Sequence, residues 1–318
     1  GLSSHELNMP GCYRDVKDTT VTAMFRMTSP QGAFKTDWGE TYFMAWTTTP
    51  WTLPSNTALC VGPKIDYVLV NTFNPYTAQP ISVVMAEARI ASYFNPAGAE
   101  AAMENYEKGG KILPYRVVAH FKGTDLEGLK YEQLFAYVNP GEGAFRVILG
   151  DYVSTEDGTG IVHIAPTFGA DDAFVAKKAG VPALQLIDKN GNKRPMVDLK
   201  GRFYKLEDLD EDFKQKHMNV DLYKTYAGRF VKNAYDDKLT DKDETLDISI
   251  CMELKASGLA FRIEKHVHNY PHCWRTDKPI LYYPLDSWFI RSTARKERMF
   301  ELNKNIKWKP QSTGTGRF

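Results

Sequence analysis

Thr47-Thr48-Thr49-Pro50 is the tightest constraint in this chain. Three β-branched residues favour an extended strand, and the proline after them has no N–H to give a sheet ladder. Pro50 also pushes Thr49 toward extended geometry. A strand that arrives here must therefore break here. The break frees backbone N–H and C=O groups and three hydroxyls, which could hold a water, ribose hydroxyls or a developing oxyanion. A threonine-rich edge strand ending in a turn accounts for the same four residues.

The rest of the first half is built from similar short runs. Thr19–Met27 is rich in β-branched and apolar residues and reads as a strand, as do 41–49, 67–73, 81–85, 115–121, 144–149, 160–165 and 183–187. Gly, Pro and Asn clusters separate them. Asn190-Gly191, between Ile187 and Val197, predicts a hairpin turn. Helical patterning falls at 171–178, with Asp172 in the first turn and Gly180 just past the end, and at 207–216, 243–256 and 293–303. Strands early and helices late predict an α+β fold, a mostly antiparallel, barrel-like sheet core with peripheral helices. Three parts are expected: a lead-in over 1–18, a core over 19–265, and an aromatic and basic return segment over 266–318.

Composition narrows the function. The 318 residues carry 40 basic and 39 acidic side chains, a net charge of +1. A protein that grips a long duplex by its phosphates usually has a basic excess, so nucleic-acid contact here should be local, as with a single-stranded end in a pocket. No apolar run approaches the roughly 20 residues of a membrane helix, and the start, Gly1-Leu2-Ser3-Ser4, lacks a signal-peptide pattern. The last residues, 312–318, stop without a cap or turn and read as an interrupted chain. Cys12, Cys60, Cys251 and Cys273 form no C-x-x-C pair, and scattered thiols fit a reducing cytosol. His266, His268, His272 and Cys273 suggest zinc, but no second cysteine follows, and an aromatic, basic surface is the preferred reading; no metal site is assigned.

A second segment carries chemistry. Gly158-Thr159-Gly160-Ile161-Val162-His163-Ile164-Ala165-Pro166 reads as a tight turn into a short strand, with His163 on the face of Ile161 and Ala165. Asp171 and Asp172 then open a helix, where a carboxylate is favoured. Alone, such a histidine is more often a core residue and such an aspartate a cap.

Together the two segments resemble the editing domain (connective peptide 1) inserted in isoleucyl-tRNA synthetases, a class I aminoacyl-tRNA synthetase family. The eleven-residue string from Trp46 to Asn56 resembles its threonine-rich motif. The G-T-G-x-V-H-x-A-P stretch, with an aspartate nine residues after the histidine, matches its second motif. Valyl and leucyl relatives carry T-T-R-P followed by an acid; Thr49 and Trp51 stand at those positions here and point to the isoleucine branch. Arg14–Asp18, Gly123–Tyr131, Tyr270–Arg275 and Ser287-Trp288-Phe289 resemble further family segments, while 195–260 holds no recognised motif.

The resemblance implies a hydrolytic proofreading domain that removes valine from mischarged tRNA(Ile) by attack of water on the ester. Thr47, Thr48 and Asp172 would act in the reaction. Trp46, Thr47, Thr48, Thr49, Asn56, His163 and Asp172 would bind substrate, with Asp172 clasping the α-ammonium, His163 forming the wall that excludes isoleucine and Asn56 bonding a nearby backbone or ribose group; a general-base role for His163 ranks second. No nucleophilic triad is visible. The expected partners are the valine-bearing 3′ acceptor end of the tRNA and the catalytic domain of the same synthetase, in the cytoplasm and away from membranes. No cofactor is expected here. H-I-G-H and K-M-S-K-S type signatures are missing, so the ATP and Mg of the full enzyme belong elsewhere and this stretch should not aminoacylate. The alternatives are a valyl or leucyl editing domain and a non-catalytic module that binds the tRNA acceptor end.

Overall fold

A computed structural model describes every residue except 241, 286, 287, 289, 317 and 318, and the side chains of 4 and 105. Part of the Ser287–Phe289 segment and the last two residues thus lie outside the described residues. The chain forms two compact units, 1–283 and 284–318.

Eleven strands belong to the first unit among the described residues: β1 (Tyr13–Arg26), β2 (Glu40–Thr47), β3 (Ala58–Val61), β4 (Asp66–Phe73), β5 (Pro80–Ala86), β6 (Arg116–Lys122), β7 (Arg146–Leu149), β8 (Ile161–Ile164), β9 (Leu186–Ile187), β10 (Lys193–Arg194) and β11 (Ala260–Pro271). One sheet has the order β11-β1-β2-β5-β4-β6 and a second the order β7-β3-β8. Pairing is antiparallel except for β2 with β5 and β3 with β7. The sheet is therefore mostly antiparallel as expected, and its order leaves two free edges, so it does not close on itself.

Alternation along the strands builds the layers. Val21, Ala23, Phe25, Phe43, Ala45, Leu69 and Val84 turn to one face of the large sheet, where they meet Leu59, Val61, Val147 and Ile161 of the small sheet. Met24, Met44, Val68, Val83 and Met85 fill the opposite face with Tyr93, Phe94 and Phe261. Ala58, Cys60 and Ile164, on the outer face of the small sheet, pack under Val175 and Ala176 of the helix Ala170–Ala179. Each fully buried large apolar side chain contributes roughly 1.5–3 kcal/mol.

Two boundaries differ from expectation. Residues 13–18, read as irregular, belong to β1, because they pair with the far end of β11 from Tyr13↔Pro271 to Asp18↔His266. The return segment begins inside the same ladder, and the first compact unit continues to Tyr283. The predicted hairpin is present: Ile187 pairs with Lys193 across a turn in which Gly191 has φ +76°. The second unit holds a 3-10 turn, Ser292–Arg295, and the helices Lys296–Asn303 and Ser312–Gly316; Trp308 Nε1 donates to Asn303 Oδ1 at 2.7 Å.

Candidate functional site

The strand does end at the threonines. β2 stops at Thr47, and Pro50 opens a 3-10 turn, Pro50–Ser55, whose N-cap is Thr49. The Thr47 hydroxyl accepts from the Thr49 N–H at 3.1 Å and lies 3.3 Å from the Thr49 hydroxyl. On the other side, the loop before β8 is pressed against β2. Gly158, at φ +64°, lies so close to Trp46 that a Cβ there would come within 3.2 Å of the indole. Gly160, at φ +75°, would place a Cβ 2.4 Å from the Ala86 methyl. The Thr159 hydroxyl donates to Met44 O at 2.6 Å, and Arg89 Nε donates to Gly158 O at 2.9 Å. Glycine suits both turn positions, and the loop is tied down at Gly158 and Thr159.

Between these walls lies a cleft of about 360 Å³, lined by Trp46, Thr47, Thr48, Tyr152, Ser154, Asp157–Val162 and His163. Trp46, Thr47, Thr48 and His163 are thus brought together. Thr49 caps the turn beside them. Tyr152, Ser154 and Asp157 were not foreseen; they lie in a loop with no pattern of its own, marked only by the glycines after it.

His163 is 9% exposed, and its Nε2 lies 3.0 Å from the Thr52 hydroxyl. The single hydrogen of that hydroxyl goes to Thr49 O at 2.8 Å. The hydroxyl must therefore accept from Nε2–H, which fixes the ring in its Nε2–H form. Among the described residues the buried Nδ1 has no partner, tolerable for a bare acceptor and costlier for an N–H. Burial also pushes the imidazole pKa down to about 4. The ring is neutral near pH 7, and with so low a pKa it is a weak proton acceptor, which disfavours the general-base role.

Asp172 and Asn56 lie outside the lining of the cleft. Asn56, 2% exposed, is turned inward: its amide donates to Ala58 O at 2.8 Å, and its oxygen accepts from the Tyr131 hydroxyl at 2.6 Å. Its polar atoms are spent on the scaffold and do not face the cleft. Asp172 is half-buried in the first turn of its helix and is not among the cleft-lining residues. Its Oδ2 accepts from Ala165 N–H at 2.8 Å, so the carboxylate hangs just past the end of β8, on the side of the small sheet that carries the helix. Burial pushes its pKa up to about 6, against the pull of that N–H. Tyr152 borders both the cleft and a neighbouring depression beside Asp171 and Phe174.

The histidines of β11 and His272 just after it serve the scaffold. His266 packs edge-on against Trp46 at 5.2 Å, His268 Nε2 lies 3.2 Å from Asp18 Oδ2, and His272 Nδ1 lies 2.9 Å from Tyr270 O. All four cysteines are free thiols. Among the described residues no helix is long and apolar enough to cross a membrane.

No family model matches the chain. Curated relatives do. An isoleucine–tRNA ligase of Bacteroides fragilis is 71% identical over 318 residues, which cover 100% of this chain and 28% of that protein. Over its whole length this chain is similar to one stretch of isoleucine–tRNA ligases. The ligase of Porphyromonas gingivalis is 63% identical over 319 residues, again 100% of this chain and 28% of its own, and that of Clostridium tetani 35% over 317, with 100% and 24%. The chain thus spans about 28% of the length of the first of these ligases. Solved editing domains of the P. falciparum and P. knowlesi cytosolic leucyl-tRNA synthetases align with 79% and 80% of this chain and 99% and 98% of their own, at 12% and 13% identity and TM-scores of 0.41 and 0.42.

Proposed function

We propose that this stretch of an isoleucine–tRNA ligase is its proofreading hydrolase, which cleaves the ester of valine wrongly attached to tRNA(Ile). One observation carries the reading: threonine hydroxyls at a broken strand end and a rigid, neutral imidazole line one small cleft, with a half-buried carboxylate just beyond it. The need for such a site is physical. One methylene is worth about 1–3 kcal/mol in a hydrophobic pocket, a general figure for which the isoleucine–valine choice of these synthetases is itself a standard example. A second, smaller sieve adds what the first cannot.

In this reading the valine side chain meets His163, and isoleucine is turned away by the ring. The free oxygen of Asp172 takes the α-ammonium; one such pair at about 4 Å and an effective dielectric of about 20 has roughly 4 kcal/mol of attraction before desolvation. The Thr47 and Thr48 hydroxyls hold the attacking water and the developing oxyanion. An aminoacyl ester is already activated, so positioning can suffice without a covalent intermediate. The partner is the 3′ acceptor end of tRNA(Ile), in the cytoplasm, and no cofactor takes part.

The test is deacylation of Val-tRNA(Ile) and Ile-tRNA(Ile), by this chain and by the complete ligase that carries it. Hydrolysis of the valyl ester with the isoleucyl ester spared supports the proposal. Binding of the tRNA end without hydrolysis of either ester would leave a non-catalytic binding module instead.

A further inference from the structure

The helix Leu246–Ala256 begins with a carboxylate aimed into the protein. Asp247 is 4% exposed, between buried Leu246 and Ile250. Its Oδ1 accepts from the backbone N–H of Trp51 at 2.9 Å, across 196 residues of chain. That N–H has no partner within its own turn. Helix starts leave their first donors unbonded; here Pro50 has none, and the Thr52 N–H already reaches Thr49 O at 3.0 Å. Trp51 N–H is the donor left over, and Asp247 supplies the acceptor.

Behind the carboxylate lies a separate cavity of about 730 Å³ whose lining includes Asp18, Lys232, Asp247 and Lys265. The charged groups that act on Asp247 come from three directions: Lys232 just ahead of a 3-10 turn, Asp18 on β1 and Lys265 on β11. They are largely engaged with one another or their strands. Lys232 Nζ bonds Asp18 at 2.9 Å, and Lys265 Nζ donates to the Thr19 hydroxyl at 2.7 Å. Burial raises the Asp247 pKa to about 7 even so. Among the described residues, the side-chain hydrogen bond of Asp247 points at the threonine-bearing turn.

We infer that Asp247 is a positioning residue for the cleft: through the Trp51 N–H it holds the turn at the place where Thr52 meets His163. It touches no substrate atom; it acts on the ring through the turn. The kinetic part of this inference rests on the proposed editing function, whereas the structural part does not.

The experiment compares Asp247→Asn and Asp247→Leu in the complete ligase, with three readouts: hydrogen exchange at Trp51, and kcat and KM for Val-tRNA(Ile) hydrolysis. Asp247→Leu should speed exchange at Trp51 at least tenfold and lower kcat at least tenfold, with KM within threefold. Asp247→Asn, whose amide oxygen still accepts, should recover most of both. A folded Asp247→Leu protein with unchanged exchange at Trp51 and unchanged kcat overturns the inference. If the leucine variant does not fold, Asp247→Ser, too short to reach the Trp51 N–H, decides on the same readouts. A wild-type ligase that hydrolyses neither ester sinks the editing proposal instead, and exchange at Trp51 then decides on Asp247 alone.

Discussion

The Nε2 nitrogen of His163 lies 3.0 Å from the hydroxyl of Thr52, although 111 residues separate the two in the chain. Because the Thr52 hydrogen is committed to Thr49 O, the pair sets both the tautomer and the plane of the ring. Nitrogen-15 NMR of the folded chain should show His163 as a single Nε2–H tautomer, neutral above about pH 5, in keeping with its pKa near 4. Thr52→Val should abolish the tautomer preference while Thr52→Ser keeps it. A mixed or Nδ1–H ring in the wild type would contradict the geometry.

The pH dependence of hydrolysis should follow Asp172 and not His163. The carboxylate must be ionised to attract an ammonium, and its pKa is near 6. The rate should rise through about pH 6 and level off above it. Asp172→Asn should cost on the order of a hundredfold or more and remove the rise, an effect of the size seen when a positioned charge is lost. An inflection that survives in Asp172→Asn and vanishes in His163→Gln would reverse the two roles.

Truncating the ring should open the sieve. His163→Ala should make Ile-tRNA(Ile) a substrate and shrink the valine preference by about 10-fold or more, the scale of a one-methylene discrimination. If deacylation assays find the isoleucyl ester still protected, another side chain forms the wall.

Stability should report the buried carboxylates. A group whose native pKa is raised binds its proton more tightly when folded, so stability falls as pH rises through the window between unfolded and folded values. For Asp247 that window runs from the ordinary 3.8 to about 7. His163 works in the opposite sense, losing stability as pH drops from 6.5 toward 4. The difference in urea midpoint between Asp247→Asn and wild type should therefore grow in favour of the variant from about pH 4 to pH 7. A difference independent of pH would mean that Asp247 ionises freely in the native protein.

Gly160→Ala should destabilise the fold by about 1–3 kcal/mol or more, through positive φ and overpacking against Ala86. Denaturant unfolding measures this directly.

Much of this was legible in the sequence, and the gaps have physical causes. Most predicted strands are present because Val, Ile and Thr runs bounded by Gly and Pro have few other ways to bury themselves. β11, among the longest, went unread because its inward face carries half-buried His266, His268 and Tyr270 where a periodicity argument looks for aliphatics. β3 was missed because all four of its residues are buried and show no alternation. In the site, the resemblance of the two segments to a known family pointed to Thr47, Thr48 and His163, and the fold brings these three to one cleft. The Thr52–His163 and Trp51–Asp247 bonds join residues far apart in sequence, and nothing local announces them. Asn56 takes the backbone half of its expected role through Ala58 O, while its oxygen is claimed by Tyr131, a residue that nothing local announces.

The ladder between β1 and β11 has a mechanical side. Tyr13 and Pro271 are directly opposed at its outer end, and the ribbon stays exposed or half-buried until β1 sinks into the core at Thr19. A pull applied at those two residues loads the cross-strand bonds one after another, as in opening a zipper, and not all at once, as in sliding two strands past each other. The core would thus be shielded from such a tug by a short tether that frays from Tyr13 and Pro271 inward before the His266–Trp46 contact at the cleft is reached.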